Sequence, residues 1–145
     1  MCDIIRKLPE DLINRIIPYT YSLQSKELRE DIISYFNGKK IVNSIYYGFW
    51  INNSDKYADK CWLINDLFAF ANDYNPTMFG YNESFYKIFS RNIMLKNDEN
   101  NVNNYIIHLE SEEIDSQINI FWGLFTPEER EDFIDIANIK IRIIN

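Results

Sequence analysis

The sequence predicts an all-α fold, a single compact helical domain of about six to eight helices around one central buried helix. Three observations carry that expectation. The chain has 145 residues but only 4 Gly and 4 Pro, too few for a turn-dense β architecture. Its most apolar stretch, Tyr57 to Tyr74, places Tyr57, Cys61, Ile64, Phe68 and Ala71 at i, i+4, i+7, i+11 and i+14, the stripe of a helix with a buried face. And Thr126-Pro127-Glu128-Glu129 spells a helix start: Thr126 as N-cap, Pro127 at the first helical position, Glu129 closing a capping box.

The elements follow in order. A first helix is expected from Leu8 or Pro9 to Ile17, with Leu12, Ile13, Ile16 and Ile17 on its apolar face and Pro18 as its stop. Ser25 caps a second helix, Lys26 to about Phe36, with Leu28, Ile32, Tyr35 and Phe36 inward and Asn37-Gly38 ending it. Lys39 to Trp50 reads as a third, with Ile41, Val42, Ile45, Tyr46 and Phe49 inward; its β-branched and aromatic content would also suit a strand.

Ser54 is the expected cap of the central helix and Asn75-Pro76 its stop, because a residue preceding proline avoids the α region. On a wheel of 100° steps, Leu63, Leu67, Phe70 and Tyr74 widen its apolar stripe to about half the circumference. Asn65 and Asp66 interrupt it, so it does not read as a membrane span. Trp62 falls on the polar side with Asp59, Asp66 and Asp73. Either another segment covers Trp62, or it anchors a partner. The three aspartates read as a solvated face.

Asn75 to Tyr81 (NPTMFGY) is the most irregular segment, either a corner whose Met78 and Phe79 plug the core or a partner-binding loop on a rigid scaffold. Asn82 caps a helix from Glu83 to about Leu95 burying Phe85, Ile88, Phe89 and Ile93, with Lys87, Arg91 and Lys96 outside. Lys96 to Asn101 reads as a polar loop. Val102, Tyr105, Ile106 and Leu109 mark one further helix, and Ile114, Ile118, Phe121 and Phe125 another, flanked by Trp122 and Leu124. The helix opened by Thr126 buries Phe133, Ile136 and Ala137. Ile139, Ile141 and Ile143 alternate with Lys140 and Arg142 as a strand would, but with no evident partner strand a continued helix or an ordered tail is expected.

Chemistry is sparse. His108 is the sole histidine, and with only Cys2 and Cys61 as thiols no imidazole–thiolate metal set forms. There is no glycine-rich phosphate loop, nucleophile elbow or H-E-x-x-H. Glu110, Glu112, Glu113 and Asp115 cluster without the spaced ligands of a calcium loop and read as a solvated helix start. No catalytic, cofactor-binding or metal-binding residue is expected, and the chain does not read as an enzyme. Net charge is −7. Residues 109–145 hold 3 Lys/Arg against 9 Asp/Glu, and no basic stripe offers itself to phosphates, which disfavours nucleic acid as a partner. Two cysteines and no apolar signal core within Met1 to Lys7 suit an intracellular, reducing compartment.

Leu8-Pro9-Glu10-Asp11-Leu12 followed by Ile16-Ile17 resembles the opening of an F-box: Leu-Pro, a nearby acid, and an apolar pair seven residues beyond the proline. The resemblance covers residues 1–50 at most, leaving 51–145 as the remaining helical core. It implies a small helical hairpin docking on a Skp1-like adaptor of a ubiquitin ligase through Leu8, Pro9, Ile16 and Ile17, with Leu28. The chain departs from the pattern after Tyr19, where the linker to Ser25 is long and no Val-Cys-x-x-Trp follows; Ile32 to Phe36 is the nearest equivalent. The frequent Ile and Asn suit an AT-rich genome. With Pro18-Tyr19-Thr20-Tyr21, Trp122-Gly123-Leu124 and Thr126–Arg130, the whole chain also resembles short proteins of giant DNA viruses of protists, which implies host cytoplasm or virion and no particular activity. The expected role is therefore a non-enzymatic protein–protein interaction module, F-box-like at its N-terminus, with Trp62 as a further partner-binding residue. The alternative is a structural or virion-associated protein that self-associates through exposed aromatics.

Overall fold

The structure, a computed structural model, describes residues 11, 12, 15, 24–50, 57–95 and 98–144, with side chains through 140. Six α-helices and one 3-10 turn make up the described residues, with no strand among them: α1 Lys26–Trp50, α2 Ala58–Ala71, the turn Thr77–Phe79, α3 Glu83–Phe89, α4 Glu99–Leu109, α5 Ile114–Leu124 and α6 Pro127–Ile144. Two compact units divide the chain, Met1–Glu30 and Asp31–Asn145. In the first, Asp11, Leu12 and Arg15 are helical, Leu12 is exposed, and Ser25 caps the start of α1 by accepting from the Leu28 amide at 3.1 Å. The rest of the expected first helix, and with it Leu8, Pro9, Ile16 and Ile17 of the F-box opening, lies outside the described residues.

In the second unit α2 is the hub, packing most extensively on α5 and also on α3, while α3 in turn meets α4. Its buried side chains are Ala58, Leu63, Ile64, Leu67 and Ala71. The buried stripe is thus rotated from the expected one. Cys61 and Phe68 are half-buried, and Tyr57 and Tyr74 are exposed. Small Ala58 and Ala71 are buried, while the bulky Phe68 and Phe70 rings are half-buried. Around this helix the core is aromatic. Phe68 and Phe121 lie with ring centroids 4.4 Å apart, Tyr81 stacks on Phe85 at 4.1 Å, and Phe85 on Phe89 at 4.7 Å. Such pairs add about 0.5–1.5 kcal/mol each beyond their buried area.

The expected break at Asn37-Gly38 does not occur. α1 runs unbroken through it, and Gly38 is buried in mid-helix. A Cβ there would lie 2.9 Å from Trp122 Cζ2 and 3.4 Å from Ile134 Cδ1. The glycine serves close approach of α1 to α5 and α6, not termination. Fusing the two expected helices fixes one face for the whole length: Val42 and Tyr46 are buried and Tyr35 and Ile45 pack on the core, but Leu28, Ile32, Phe36 and Ile41, all expected inward, are exposed.

The end of α2 also differs. The helix stops at Ala71, before the expected Asn75-Pro76, because Asp73 and Tyr74 enter the left-handed region (φ 48° and 58°) and the Tyr74 amide donates back to the Ala69 carbonyl at 2.7 Å. α3 ends at Phe89 and not near Leu95, leaving Ile93 exposed where burial was expected, while Leu95 is buried. α4 starts inside the expected polar loop because Asp98 caps it, accepting from the Asn100 and Asn101 amides. The Thr126–Glu129 capping box forms in both directions, at 2.8 and 3.2 Å. α6 buries Phe133 and Ala137 but exposes Ile136, and it continues as helix through the alternating Ile139–Ile144 tail.

Candidate functional site: an aromatic-walled cavity and a presented loop

Trp62 stands half-exposed on the outer side of α2. Its ring stacks on that of Trp50, at the end of α1, with centroids 5.3 Å apart and planes 19° from parallel. Phe49 meets Trp50 edge-on at 5.0 Å. These rings and Ala137 of α6 wall a cavity of about 160 Å³. Its polar edge is a three-member network: Asp66 accepts from the Tyr46 hydroxyl at 2.6 Å and from Lys140 Nζ at 2.6 and 2.8 Å. Lys140 Nζ also lies 6.0 Å from the Trp62 ring centroid. Burial, then the bond to Asp66, pushes the Tyr46 phenol well above its ordinary value, so it stays a neutral donor. Asp66 is therefore not part of a solvated row, as the sequence suggested; it is a mostly buried carboxylate with two partners.

The loop after α2 answers the other question left open by the sequence. Met78 and Phe79, expected either to plug the core or to meet a partner, are each 82% exposed, so the plug reading fails. What keeps them out is the base of the loop. Asn72 is fully buried and its side chain donates to the carbonyls of Asn75 (2.8 Å) and Gly80 (3.3 Å) while accepting from the Asn82 amide (2.8 Å). Asn82 returns a bond to the Asn72 carbonyl at 2.9 Å and also caps α3 through the Phe85 amide. Gly80, at φ +91°, turns the chain where a side chain would be strained. Asn72 escaped the sequence reading; its signal was the Asn-Asp pair just before an expected helix end, since these residues enter left-handed caps readily.

Compared with family models, with curated proteins and with solved structures, the chain matches none. Leu8, Pro9, Ile16 and Ile17 lie outside the described residues, so of the expected partner-binding residues the structure describes Trp62 and the exposed Leu28.

Elsewhere, His108 is exposed and lies 3.4 Å from Glu112, just beyond the end of its helix. Asp115 pairs with Lys60 at 2.6 Å, which raises the Lys60 ammonium above its ordinary value. Among the described residues no three His, Cys, Asp or Glu side chains converge as a metal site would need, and no described helix is long and apolar enough to cross a membrane.

Proposed function

We propose that this protein is a protein–protein interaction module and that the Trp50–Trp62 face is its partner-binding surface. The observation that carries this is a pair of stacked tryptophans walling an apolar cavity at the surface. Exposed tryptophan beside a hollow is the chemistry of an interface anchor, since a large flat side chain gains much from leaving water and loses little conformational freedom. The cavity's two charges already neutralise each other, so covering it strands no bare ion. The cavity, at about 160 Å³, lies below the ~300 Å³ at which small-molecule pockets begin, which favours a side chain as its occupant.

Adaptor docking through Leu8, Pro9, Ile16 and Ile17 is supported by the F-box resemblance. Affinity capture with the full chain and mass spectrometry tests both. Recovery of a Skp1-like adaptor with a cullin, lost on Leu8→Ala/Ile16→Ala, assigns the adaptor role. A partner lost on Trp62→Ala assigns the tryptophan face. A set of captured proteins unchanged by both variants overturns both assignments.

A further inference from the structure

We propose that the chain associates with itself head to tail, the Met78–Phe79 tip of one copy seated in the Trp50–Trp62 cavity of the next. The proposal rests on the interaction-module reading above and names the partner as a second copy.

The tip is built to protrude. The Phe79 amide donates to the Pro76 carbonyl at 3.0 Å and the Gly80 amide to the Thr77 carbonyl at 2.9 Å, closing one tight turn above the Asn72–Asn82 clamp. Two large apolar side chains are thereby held in water on a fixed backbone, and little ordering entropy remains to be lost on docking. At 82% exposure, neither fills the cavity of its own chain. The cavity's size suits one such side chain, and its walls suit both kinds: aromatic rings meet aromatic rings, and a thioether sits favourably against tryptophan.

Charge agrees. Each copy carries −7, which opposes association at long range, but Asn75 to Tyr81 contains no charged residue and the cavity's ions are internally paired. The contact therefore meets no unpaired charge, and added salt strengthens it by screening the copies from each other. Tip and cavity are different surfaces, so the contact is heterologous and propagates along a row of copies or closes as a ring. One loop tip covers far less than the ~1,200 Å² of a standard stable interface, so association is weak and depends on concentration.

Sedimentation velocity of the full chain, from micromolar to millimolar, tests this. Wild type is expected to grow in mass with concentration, more so at higher salt. Phe79→Asp and Trp62→Ala each stay monomeric and folded; Phe79→Asp keeps the wild-type circular dichroism melt because its side chain is exposed, and Trp62→Ala melts slightly lower, with the wild-type spectrum, because it loses the stack on Trp50. An equimolar mixture of the two variants forms a pair and nothing larger, since one supplies the cavity and the other the tip. A wild type that stays monomeric throughout, an oligomer indifferent to both substitutions, or variants that fail to pair in the mixture overturns the proposal. If monomeric wild type still captures a partner that Trp62→Ala loses, self-association fails while the interaction-module reading stands; if no partner is lost either, both fail.

Discussion

Helix α6 carries the same three-part device twice, and the two copies end in opposite states. Near its start, Arg130 pairs with Asp31 of α1 at 2.7 Å and lies under the Tyr35 ring, 5.5 Å from its centroid. Near its end, Lys140 pairs with Asp66 of α2 at 2.6 Å and lies 6.0 Å from the Trp62 centroid. In the first the cation is sealed, with its side chain 2% exposed against 46% for the aspartate; in the second the order is reversed, 44% for the lysine and 16% for the aspartate. The tryptophans follow suit: Trp122 is fully buried and donates to the Tyr35 carbonyl at 3.0 Å, while Trp62 is half in water.

Two physical differences separate them. A guanidinium can serve several acceptors at once, and Arg130 does so, donating through Nε to the Trp122 carbonyl at 2.9 Å and through Nη1 to the carbonyl and carboxylate of Asp31. An ammonium is compact and strongly hydrated, and stays at the rim. The second difference is Gly38, whose missing side chain lets α1 close on Trp122 and Ile134. At the far end of α1 bulky Phe49 and Trp50 stand in the corresponding place, and a cavity remains. The sealed device holds the fold together; the open one leaves a surface to be used.

The comparison breaks most severely at Arg130. Arg130→Ala removes the donors from two backbone carbonyls and the packing of a buried side chain, while the Asp31 it leaves is half in water, and is expected to cost about 2–4 kcal/mol in urea unfolding; a Lys there restores only part, because it cannot reach the same acceptors in one geometry. A loss under about 1 kcal/mol, the range of a surface pair, would remove the distinction drawn here. Gly38→Ala comes next. Alanine ordinarily favours a helix interior by about 1 kcal/mol over glycine, but the new methyl meets a buried indole, and overpacking costs about 1–3 kcal/mol. A net loss near 1 kcal/mol is expected. Gly48, in the same helix, has nothing within 4 Å of its would-be Cβ. Gly48→Ala should therefore gain about 0.5–1 kcal/mol, and if both substitutions stabilise, the close approach is not what Gly38 serves.

Lys140→Met sharpens the open end, with a loss of about 1 kcal/mol in the same unfolding assay, because the lysine is partly hydrated but the mostly buried Asp66 carboxylate is left with the Tyr46 hydroxyl alone. The smallest effect expected is one of pH. Burial pushes the Glu129 carboxyl up, but the Arg91 guanidinium, at 2.5 and 2.7 Å, and the Thr126 amide outweigh it and hold the group below the ordinary carboxylate range. A depressed folded value means that the contribution is fully present above the unfolded value of about 4.3 and fades as pH falls through the folded one. Stability of Glu129→Gln measured between neutral pH and acid should accordingly fall less steeply than wild type over that window; parallel curves would count against the pairing.

Which features belonged to the sequence, and which to packing, can be read from particular residues. Helix type was legible wherever period and local chemistry agreed: the apolar run from Tyr57 to Tyr74, though its buried face is rotated from the expected stripe, the Asn82 cap, the Thr126–Glu129 box. These depend on neighbours within four residues, so the chain alone determines them. Trp62 was legible as a choice between two readings, and Met78–Phe79 likewise. Gly38 was misread because the glycine that ends a helix and the glycine that admits another helix look identical until the indole of Trp122, more than eighty residues on, is in place. Arg130 gave no local sign of burial, since its acceptors come from α1 and α5. The cavity beside Trp50 and Trp62 shares that origin, whereas the partners of Asn72 are the nearby Asn75, Gly80 and Asn82. Burial, hydrogen-bond closure and hollows depend on surfaces brought together from distant parts of the chain, and only the tertiary structure decides which surfaces meet.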